Sequence, residues 1–240
     1  MQINLLDNTL NSSVSEIIEA LKRGSAKELE NLRQLDLSKA ELAGANLSEA
    51  SMIGVNFGGA NLSSTNFSGT DLRGANLQGA NLQGAFLSRA NLRQADFTDA
   101  NLDGAKLQVA YYDVQTIWTE GYAYKTSGAV GPGASLNGAY LNTANLRNAD
   151  LQGANLLGAY LSGADLTGAN LQNACLSGAD LRVAFLAGAE IEHVQSIAGA
   201  DFTMVQGLSE ETRAKLRTRP FAELDVWNAY TRRTTRESLE

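Results

Sequence analysis

A period of five residues runs through most of this chain and excludes the usual secondary structures. It is clearest over 75–110, which reads ANLQG ANLQG AFLSR ANLRQ ADFTD ANLDG AKLQV A. On an α-helix, residues five apart lie about 140° apart around the axis, so the leucines would form no stripe. In an uninterrupted strand an odd spacing puts successive leucines on opposite faces. Each unit of five must therefore contain a bend.

The residue types within a unit indicate where the bend lies. Alanine stands two places before each leucine, so the two share a face and fit a very short strand with both side chains pointing inward. Glycine often fills the last place, as at Gly44, Gly79 and Gly104, where a type II turn needs a positive φ. The asparagine or aspartate between alanine and leucine can hydrogen-bond to the local backbone at a bend.

Tandem units of the form A(N/D)LxG resemble those of the pentapeptide-repeat proteins, in their cyanobacterial type. The resemblance covers roughly 155 of the 240 residues. It implies an all-β solenoid, a right-handed quadrilateral β-helix with four pentapeptides per coil, whose alanines and central leucines or phenylalanines point inward. It says little about activity, because one fold hosts many functions.

Interruptions of the period divide the chain into five segments. Solenoids need atypical ends, because an open coil exposes unpaired backbone and an apolar cross-section. We expect a helical N-terminal cap over 1–34, a first β-helix block over 35–112, a loop insertion over 113–133, a second block over 134–206 and a helical C-terminal cap over 207–240. Within the second block, one extra residue near His193 predicts a bulge.

Capping signals predict helices in both terminal segments. At the start, Ser12 or Ser13 could cap a helix that runs to about Arg23, and Ser25 with Glu28 forms a capping box for a second one. Near the end, Ser209 could cap a helix with acidic residues in its first turn. A further helix is expected from Pro220, with an apolar side made of Phe221, Leu224, Trp227 and Tyr230.

The C-terminal helices are predicted either to close the coil or to form a dimer, which leaves monomer and dimer both open. The polar tail that follows them is expected to fray.

Aromatic residues cluster in and around the insertion. Six of the seven tyrosines lie within 111–160. Tyr140 and Tyr160 are twenty residues apart, so they should stack on one outer face. Two interpretations remain open: the pair is a platform on which Trp118 and the loop tyrosines pack, or part of the cluster stays exposed to anchor a partner. The candidate partner-binding residues are Trp118, Tyr122, Tyr124, Tyr140 and Tyr160.

No constellation of catalytic or metal-binding residues is visible in the sequence. One histidine and one cysteine, far apart in the repeat frame, make neither a catalytic triad nor a zinc site. There is no Walker-type phosphate loop and no dinucleotide fingerprint. We therefore expect no enzyme, no catalytic residue, no cofactor and no metal.

Net charge and cysteine content indicate which partners and which cellular compartment suit the protein. The net charge of −7 argues against direct contact with nucleic acid. The single cysteine, Cys175, permits no internal disulfide and fits a reducing compartment. No segment looks like a secretory signal or a membrane span. We expect a cytoplasmic protein that does not associate with membranes.

Two functions of different kinds follow. The first is a rigid scaffold for protein–protein interaction, with an unknown protein partner. The second is implied by the resemblance: some pentapeptide-repeat proteins mimic duplex DNA and inhibit or protect a type II topoisomerase (gyrase). Residues 34–112 carry a net charge of −2 and residues 134–207 one of −4. Seven to eight coils would span roughly 35 Å, and duplex DNA of that length carries about twenty charges. The scaffold is the preferred interpretation.

Overall fold

A computed structural model describes residues 14–24 and 32–240. The chain forms two compact units, Met1–Ala129 and Val130–Glu240. In each unit, parallel β-bridges join residues twenty apart, such as Asn56 with Asn76 and Asn155 with Cys175. Each pentapeptide contributes one bridge residue and one turn, so four short sides complete a coil. This agrees with the quadrilateral arrangement that the repeat implied.

Backbone hydrogen bonds link successive coils and close each corner. The Leu77 N–H donates to the carbonyl of Asp96 in the next coil at 2.8 Å, and the Asp96 N–H donates back to the Ala75 carbonyl at 3.0 Å. At the corner, the Ala80 N–H donates to the Leu77 carbonyl at 3.1 Å. The last place of the unit has a positive φ whether it holds Gly79 (64°) or Arg89 (61°). The corner therefore requires the left-handed conformation, which glycine adopts most easily.

The core of each unit consists of inward columns of leucine, phenylalanine and alanine. Leu156 is fully buried between Leu136 and Leu176, which occupy the same place one coil away on either side. Among the described residues, three inward positions hold threonine instead of alanine: Thr65, Thr70 and Thr116. The Thr65 hydroxyl donates to the Leu42 carbonyl at 2.7 Å, so its burial leaves no polar atom unpaired.

The expected bulge in the second unit is present. Bridges before it join residues twenty apart, whereas Cys175 pairs with Ser196, one residue further on. The extra residue is accommodated at Gln195, and Ile197 and Phe202 return to the buried columns. His193 is exposed at the preceding corner.

The β-helix continues into the segment that the sequence assigned to the 113–133 insertion. Ile117 forms a parallel bridge with Asp96, and the Phe97 N–H donates to the Ile117 carbonyl at 2.8 Å. The loop prediction therefore starts too early. One added residue near Asp113 shifts the five-residue repeat by one position. A strict period of five therefore does not predict that the repeat continues. The excursion that follows includes a short 3₁₀ helix, Tyr124–Thr126.

The first helix agrees with the prediction. α1 spans Val14–Lys22 and buries Ile17, Ala20 and Leu21 on one side. The proposed caps Ser12 and Ser13, and the second helix with its Ser25–Glu28 capping box, lie outside the described residues.

Three short helices follow the second unit's coils: α2 (Glu210–Arg217), α3 (Phe221–Leu224) and α4 (Thr235–Ser238). α2 begins as expected, because the Ser209 side chain accepts the Thr212 N–H at 3.1 Å. α3 is a single turn, so the prediction of one apolar side from Phe221 to Tyr230 is wrong. Leu224 alone of those four is buried, since the chain leaves the helix at Asp225.

The expectation that the polar tail frays is also wrong. α4 has a complete capping box, in which Thr234 accepts the Glu237 N–H and Glu237 accepts the Thr234 N–H. Leu239 is fully buried. The T-x-x-E sequence at 234–237 carried this signal.

Candidate functional site

The five aromatic residues predicted to bind a partner fall into two clusters, one in each unit. Trp118, Tyr122 and Tyr124 belong to the first unit, and Tyr140 and Tyr160 belong to the second. The two clusters differ in how much of their surface is already used within the protein.

The first cluster is a stack on the end of an inward column. The Trp118 ring lies parallel to Phe97, with centroids 5.0 Å apart, and parallel to Tyr124 at 5.2 Å. Tyr112 meets Trp118 edge-on at 5.8 Å. Burial raises the pKa of Tyr122 above its ordinary value. The platform for Trp118 is thus made by Phe97 and Tyr112, and not by the Tyr140–Tyr160 pair.

The second cluster is a stack on an outer face. Tyr140 and Tyr160 are partners in a parallel bridge, and their rings lie parallel with centroids 4.9 Å apart. This distance matches the spacing of neighbouring strands, so the backbone itself sets the stack. Tyr230, from the C-terminal segment, meets Tyr160 edge-on at 5.2 Å. Tyr160 is half-buried as a result, whereas Tyr140 remains 80% exposed.

A paired charge lies beside this stack. Asp180 follows Tyr160 along the same ladder, and its two carboxylate oxygens each accept a hydrogen bond from Arg182 at 2.8 Å. These hydrogen bonds raise the pKa of the Arg182 guanidinium above its ordinary value. The guanidinium carbon also lies 5.5 Å from the centre of the Tyr230 ring, within the range of a cation–π contact.

Asp201, the next residue of the ladder, is fully buried. Its Oδ1 accepts hydrogen bonds from the Thr203 N–H and hydroxyl at 2.9 and 2.6 Å. Its Oδ2 has no hydrogen-bond partner. Asp201 also raises the pKa of Arg182 through charge, so Arg182 interacts with both carboxylates.

A tight turn over 227–234 holds Tyr230 in place. An antiparallel bridge between Trp227 and Thr234 closes it. The Asn228 side chain is buried and accepts the backbone N–H groups of Tyr230 and Thr231, both at 2.9 Å. Its amide nitrogen donates to three carbonyls of the coils, those of Gly178, Ala179 and Gly199. Because one side chain satisfies both the turn and the coils, the turn is fixed to the β-helix.

A cavity of about 440 Å³ lies between this turn and a corner of the second unit. Its wall is largely apolar, with polar groups at Asp180 and Asn228. The main lining residues are Leu157, Tyr160, Asp180, Trp227, Asn228 and Tyr230. The sequence analysis identified Tyr160 but placed Trp227 and Tyr230 on a helix, and it did not single out Asn228. Only the turn propensity of asparagine could have indicated it.

Cys175 is half-buried in an outward position, with its sulfur 3.5 Å from the Ser177 hydroxyl. Within residues 14–24 and 32–240, no group of three or more His, Cys, Asp or Glu side chains could hold a metal ion. In the same residues, no helix has the length and apolar character needed to cross a membrane.

Comparison with protein families gives one match. A family model described as pentapeptide repeats matches in eight copies over residues 31–69, 70–108, 132–156 and 144–182, which together make up more than half of the chain. A comparison with curated proteins gives no match.

Several solved structures are similar to the chain. The pentapeptide repeat protein alr5209 from Nostoc PCC 7120 is 31% identical over 49% of this chain and 93% of its own, with a TM-score of 0.43. HetL, a pentapeptide repeat protein of the same organism involved in heterocyst differentiation regulation, is 27% identical over 81% of this chain and 91% of its own, with a TM-score of 0.37. QnrB1, a plasmid-mediated fluoroquinolone resistance protein, is 18% identical over 82% of this chain and 88% of its own, with a TM-score of 0.30.

Proposed function

Because the chain belongs to the pentapeptide repeat family, we propose that it is a non-enzymatic scaffold that binds a protein partner. In this proposal the coils supply a stiff support, and the aromatic residues of the second unit supply the contact surface. Tyr140 and Tyr160 form its centre.

The exposure of Tyr140 carries the proposal. One face of its ring packs on Tyr160 at 4.9 Å, yet 80% of the residue is accessible to solvent. The stack limits the rotamers of the ring before any partner arrives, so binding immobilises little that is still free. A large, pre-positioned aromatic side chain of this kind is typical of the residues that dominate interface energies.

Trp118, Tyr122 and Tyr124 have a secondary place in the proposal. All three are half-buried, and their ring contacts within the first unit occupy both faces of Trp118. We therefore assign them chiefly to the packing of the first unit. Their exposed edges are a weaker candidate for partner contact than Tyr140.

The proposal also gives residues 207–240 the role of a C-terminal cap. Three side chains of this segment bind backbone groups of the last coil: Glu223 accepts the Ile197 N–H, Thr235 donates to the Ile197 carbonyl, and Ser238 donates to the Ala200 carbonyl. These contacts replace the bonds that a further coil would make, which favours a closed end. For residues 1–34, a matching role rests on the buried side of α1.

The proposal includes a cytoplasmic location and a monomeric state. A cytoplasmic protein is supported by the single cysteine, Cys175. The closed C-terminal end favours a monomer over a dimer through the C-terminal helices.

The test is capture of partners from a native lysate with immobilised variants of the full chain. We expect wild type and Tyr122→Ala to capture the same proteins, because Tyr122 belongs to the first cluster. Tyr140→Ala should lose them while its thermal melt stays unchanged, since the ring is mostly exposed. Unchanged capture by Tyr140→Ala would overturn the proposed surface, and loss with Tyr122→Ala alone would move it to the first cluster.

A variant without the 119–127 loop must keep the neighbouring residues that pair with the coil. Replacing residues 119–127 by a Gly-Ser segment of equal length keeps Ile117 and Trp118, which the coil uses. We expect this variant to capture as wild type does. A replacement that began at residue 114 would remove part of the core. Loss of capture by such a variant could then come from unfolding and not from loss of the binding surface.

A further inference from the structure

We infer that the cavity beside the 227–234 turn takes an apolar side chain of a partner protein, from a segment whose neighbouring residues are acidic. This inference rests on the proposed function and deepens it, because it specifies the chemistry of the partner. Three observations carry it: the shape and wall of the cavity, the exposed apolar residues at its rim, and two exposed arginines on the turn that form no ion pair with the described residues.

The cavity suits an apolar side chain. Its volume of about 440 Å³ is enough for a large side chain with part of its backbone, and its wall is built mostly from carbon. The carboxylate of Asp180 and the amide of Asn228, both on the wall, are already hydrogen-bonded within the protein. Asp180 is bound at both oxygens by Arg182, and both ends of the Asn228 amide are used. These two groups therefore offer a partner little free hydrogen-bonding capacity.

The rim of the cavity exposes an unusual amount of apolar surface. Trp227 is 63% exposed, Tyr230 60% and Leu157 50%, and all three line the cavity. The exposed Tyr140 ring extends the patch, because it stacks on Tyr160, which also lines the cavity. Clusters of exposed aromatic and aliphatic side chains around a concavity mark interaction sites on soluble proteins.

The charged residues of the turn itself are basic. Arg232 and Arg233 are exposed, and in the part of the chain that the structure describes neither side chain makes a hydrogen bond or an ion pair. Their backbone is fixed close to the cavity: the Arg232 N–H donates to the Asn228 carbonyl at 2.9 Å, and the Asn228 N–H donates to the Arg233 carbonyl at 2.8 Å.

The other basic residues of the C-terminal segment are all engaged. Lys215, Arg219 and Arg236 pair with carboxylates, and Arg213 and Arg217 donate to the Leu239 carbonyl.

Asp180 pairs with Arg182, and Asp225 pairs with Arg236 at 2.7 Å. Glu237 and Glu240 are exposed but lie outside the turn, and the Glu237 carboxylate accepts the Thr234 N–H at 2.9 Å. Within the 227–234 turn itself the charged residues are Arg232 and Arg233, so a partner that packs against the turn meets positive charge there. Guanidinium groups prefer carboxylates, which they can bind in a bidentate manner. An acidic segment is the complement of this rim.

A selection from short random peptides displayed on phage tests the inference, with the full-length protein as bait. We expect the enriched peptides to share a large apolar residue flanked by aspartate or glutamate. Ala198→Leu, which adds bulk to the cavity wall, serves as the matched bait and should select none of them. The Ala198→Leu protein must have the same melting temperature as wild type for the comparison to be valid. If its melting temperature is lower, Ala229→Leu replaces it as the matched bait.

An enriched peptide is then synthesised with a fluorescent label, and its affinity is measured by anisotropy. Substituting its apolar residue by alanine should weaken binding about tenfold or more, as for an anchor residue. The double variant Arg232→Ala/Arg233→Ala should weaken binding about three- to tenfold and reduce its dependence on salt, because exposed ion pairs are individually weak and screened. Arg89→Ala, an exposed base of the first unit, should have no effect.

Enrichment of basic or uncharged peptides would overturn the inference, and so would equal enrichment by Ala198→Leu. Self-association in sedimentation velocity that Trp227→Ala abolishes would also overturn it, because a second copy of the chain would then occupy the cavity. The proposed function is judged separately. If capture from lysate depends on Tyr140 but no acidic peptide is enriched, the scaffold stands and the acidic partner is wrong.

Discussion

The asparagine or aspartate before each central leucine makes hydrogen bonds in two directions. The Asn76 Oδ1 accepts the Gln78 N–H of its own turn at 3.0 Å, while its Nδ2 donates to Asn56 in the previous coil at 2.9 Å. Asn56 donates in the same way to Asp36. The turn needs only a hydrogen-bond acceptor, so asparagine and aspartate both suit it. Asparagine can also donate a hydrogen bond to the neighbouring coil. This accounts for the exchange of the two residues without any role in acid–base chemistry.

Two adjacent leucines allow a direct test of the inward columns. Leu156 is fully buried, whereas Leu157 is 50% exposed. Leu156→Asp should abolish cooperative unfolding, because an unpaired carboxyl group in an apolar column costs several kcal/mol, about what many domains have in total. Leu157→Asp should melt within a few degrees of wild type by circular dichroism. Equal melting of the two variants would contradict the assignment of the columns.

At the scale of elements, the sequence predicted what is periodic and missed what tertiary contacts determine. The coils, the inward columns and the Tyr140–Tyr160 stack follow from spacings of five and twenty, because every repeat has the same neighbours. The segment after Pro220 has no such constraint. There Asn228 fixes the turn by contacts with carbonyls about 30 and 50 residues earlier, and these contacts outweigh the helical spacing of Phe221, Leu224, Trp227 and Tyr230. No pattern within the segment shows them.

The C-terminal segment also predicts that the stability of the fold depends on pH. Burial raises the pKa of the Glu223 carboxyl, but hydrogen bonds from Arg219 and from the Ile197 N–H outweigh this effect and hold the pKa below its ordinary value of 4.5. Because the pKa is lower in the folded protein, the carboxylate stabilises the fold fully above the unfolded value. That stability is lost as the pH falls through the lower, folded value.

Glu223→Gln isolates this contribution. The variant should melt below wild type at neutral pH, and the difference should shrink as the pH falls below about 4.5, where wild type loses the same interaction. Melts followed by circular dichroism at several pH values measure it. Glu120→Gln removes an exposed carboxylate outside the C-terminal segment, and its melting temperature should follow that of wild type at every pH. A gap between Glu223→Gln and wild type that stays constant down to pH 3 would contradict the assignment.

For the molecule as a whole, the distribution of charge favours the scaffold over a mimic of duplex DNA. The four coils of the first block span about 19 Å, and duplex DNA of that length carries about eleven negative charges. Residues 34–112 carry a net −2, because acids are largely offset by bases, as where Arg73 pairs with Asp71 at 2.7 Å. Residues 134–207 reach only −4. Neither unit has the charge density of the duplex that a mimic would replace.

We therefore expect the purified protein neither to inhibit DNA supercoiling by gyrase at micromolar concentration nor to protect gyrase from a quinolone. A matched variant makes the negative result informative. Arg73→Glu, Arg89→Glu and Arg93→Glu together would lower the net charge of residues 34–112 from −2 to −8, without touching an inward position. Inhibition by this variant alone would show that charge is what the natural protein lacks, since an acidic surface is what steers a DNA-binding enzyme to a mimic. Clear inhibition by the wild type would reverse the order of the two functions, because the shape of the coils would then compensate for their sparse charge.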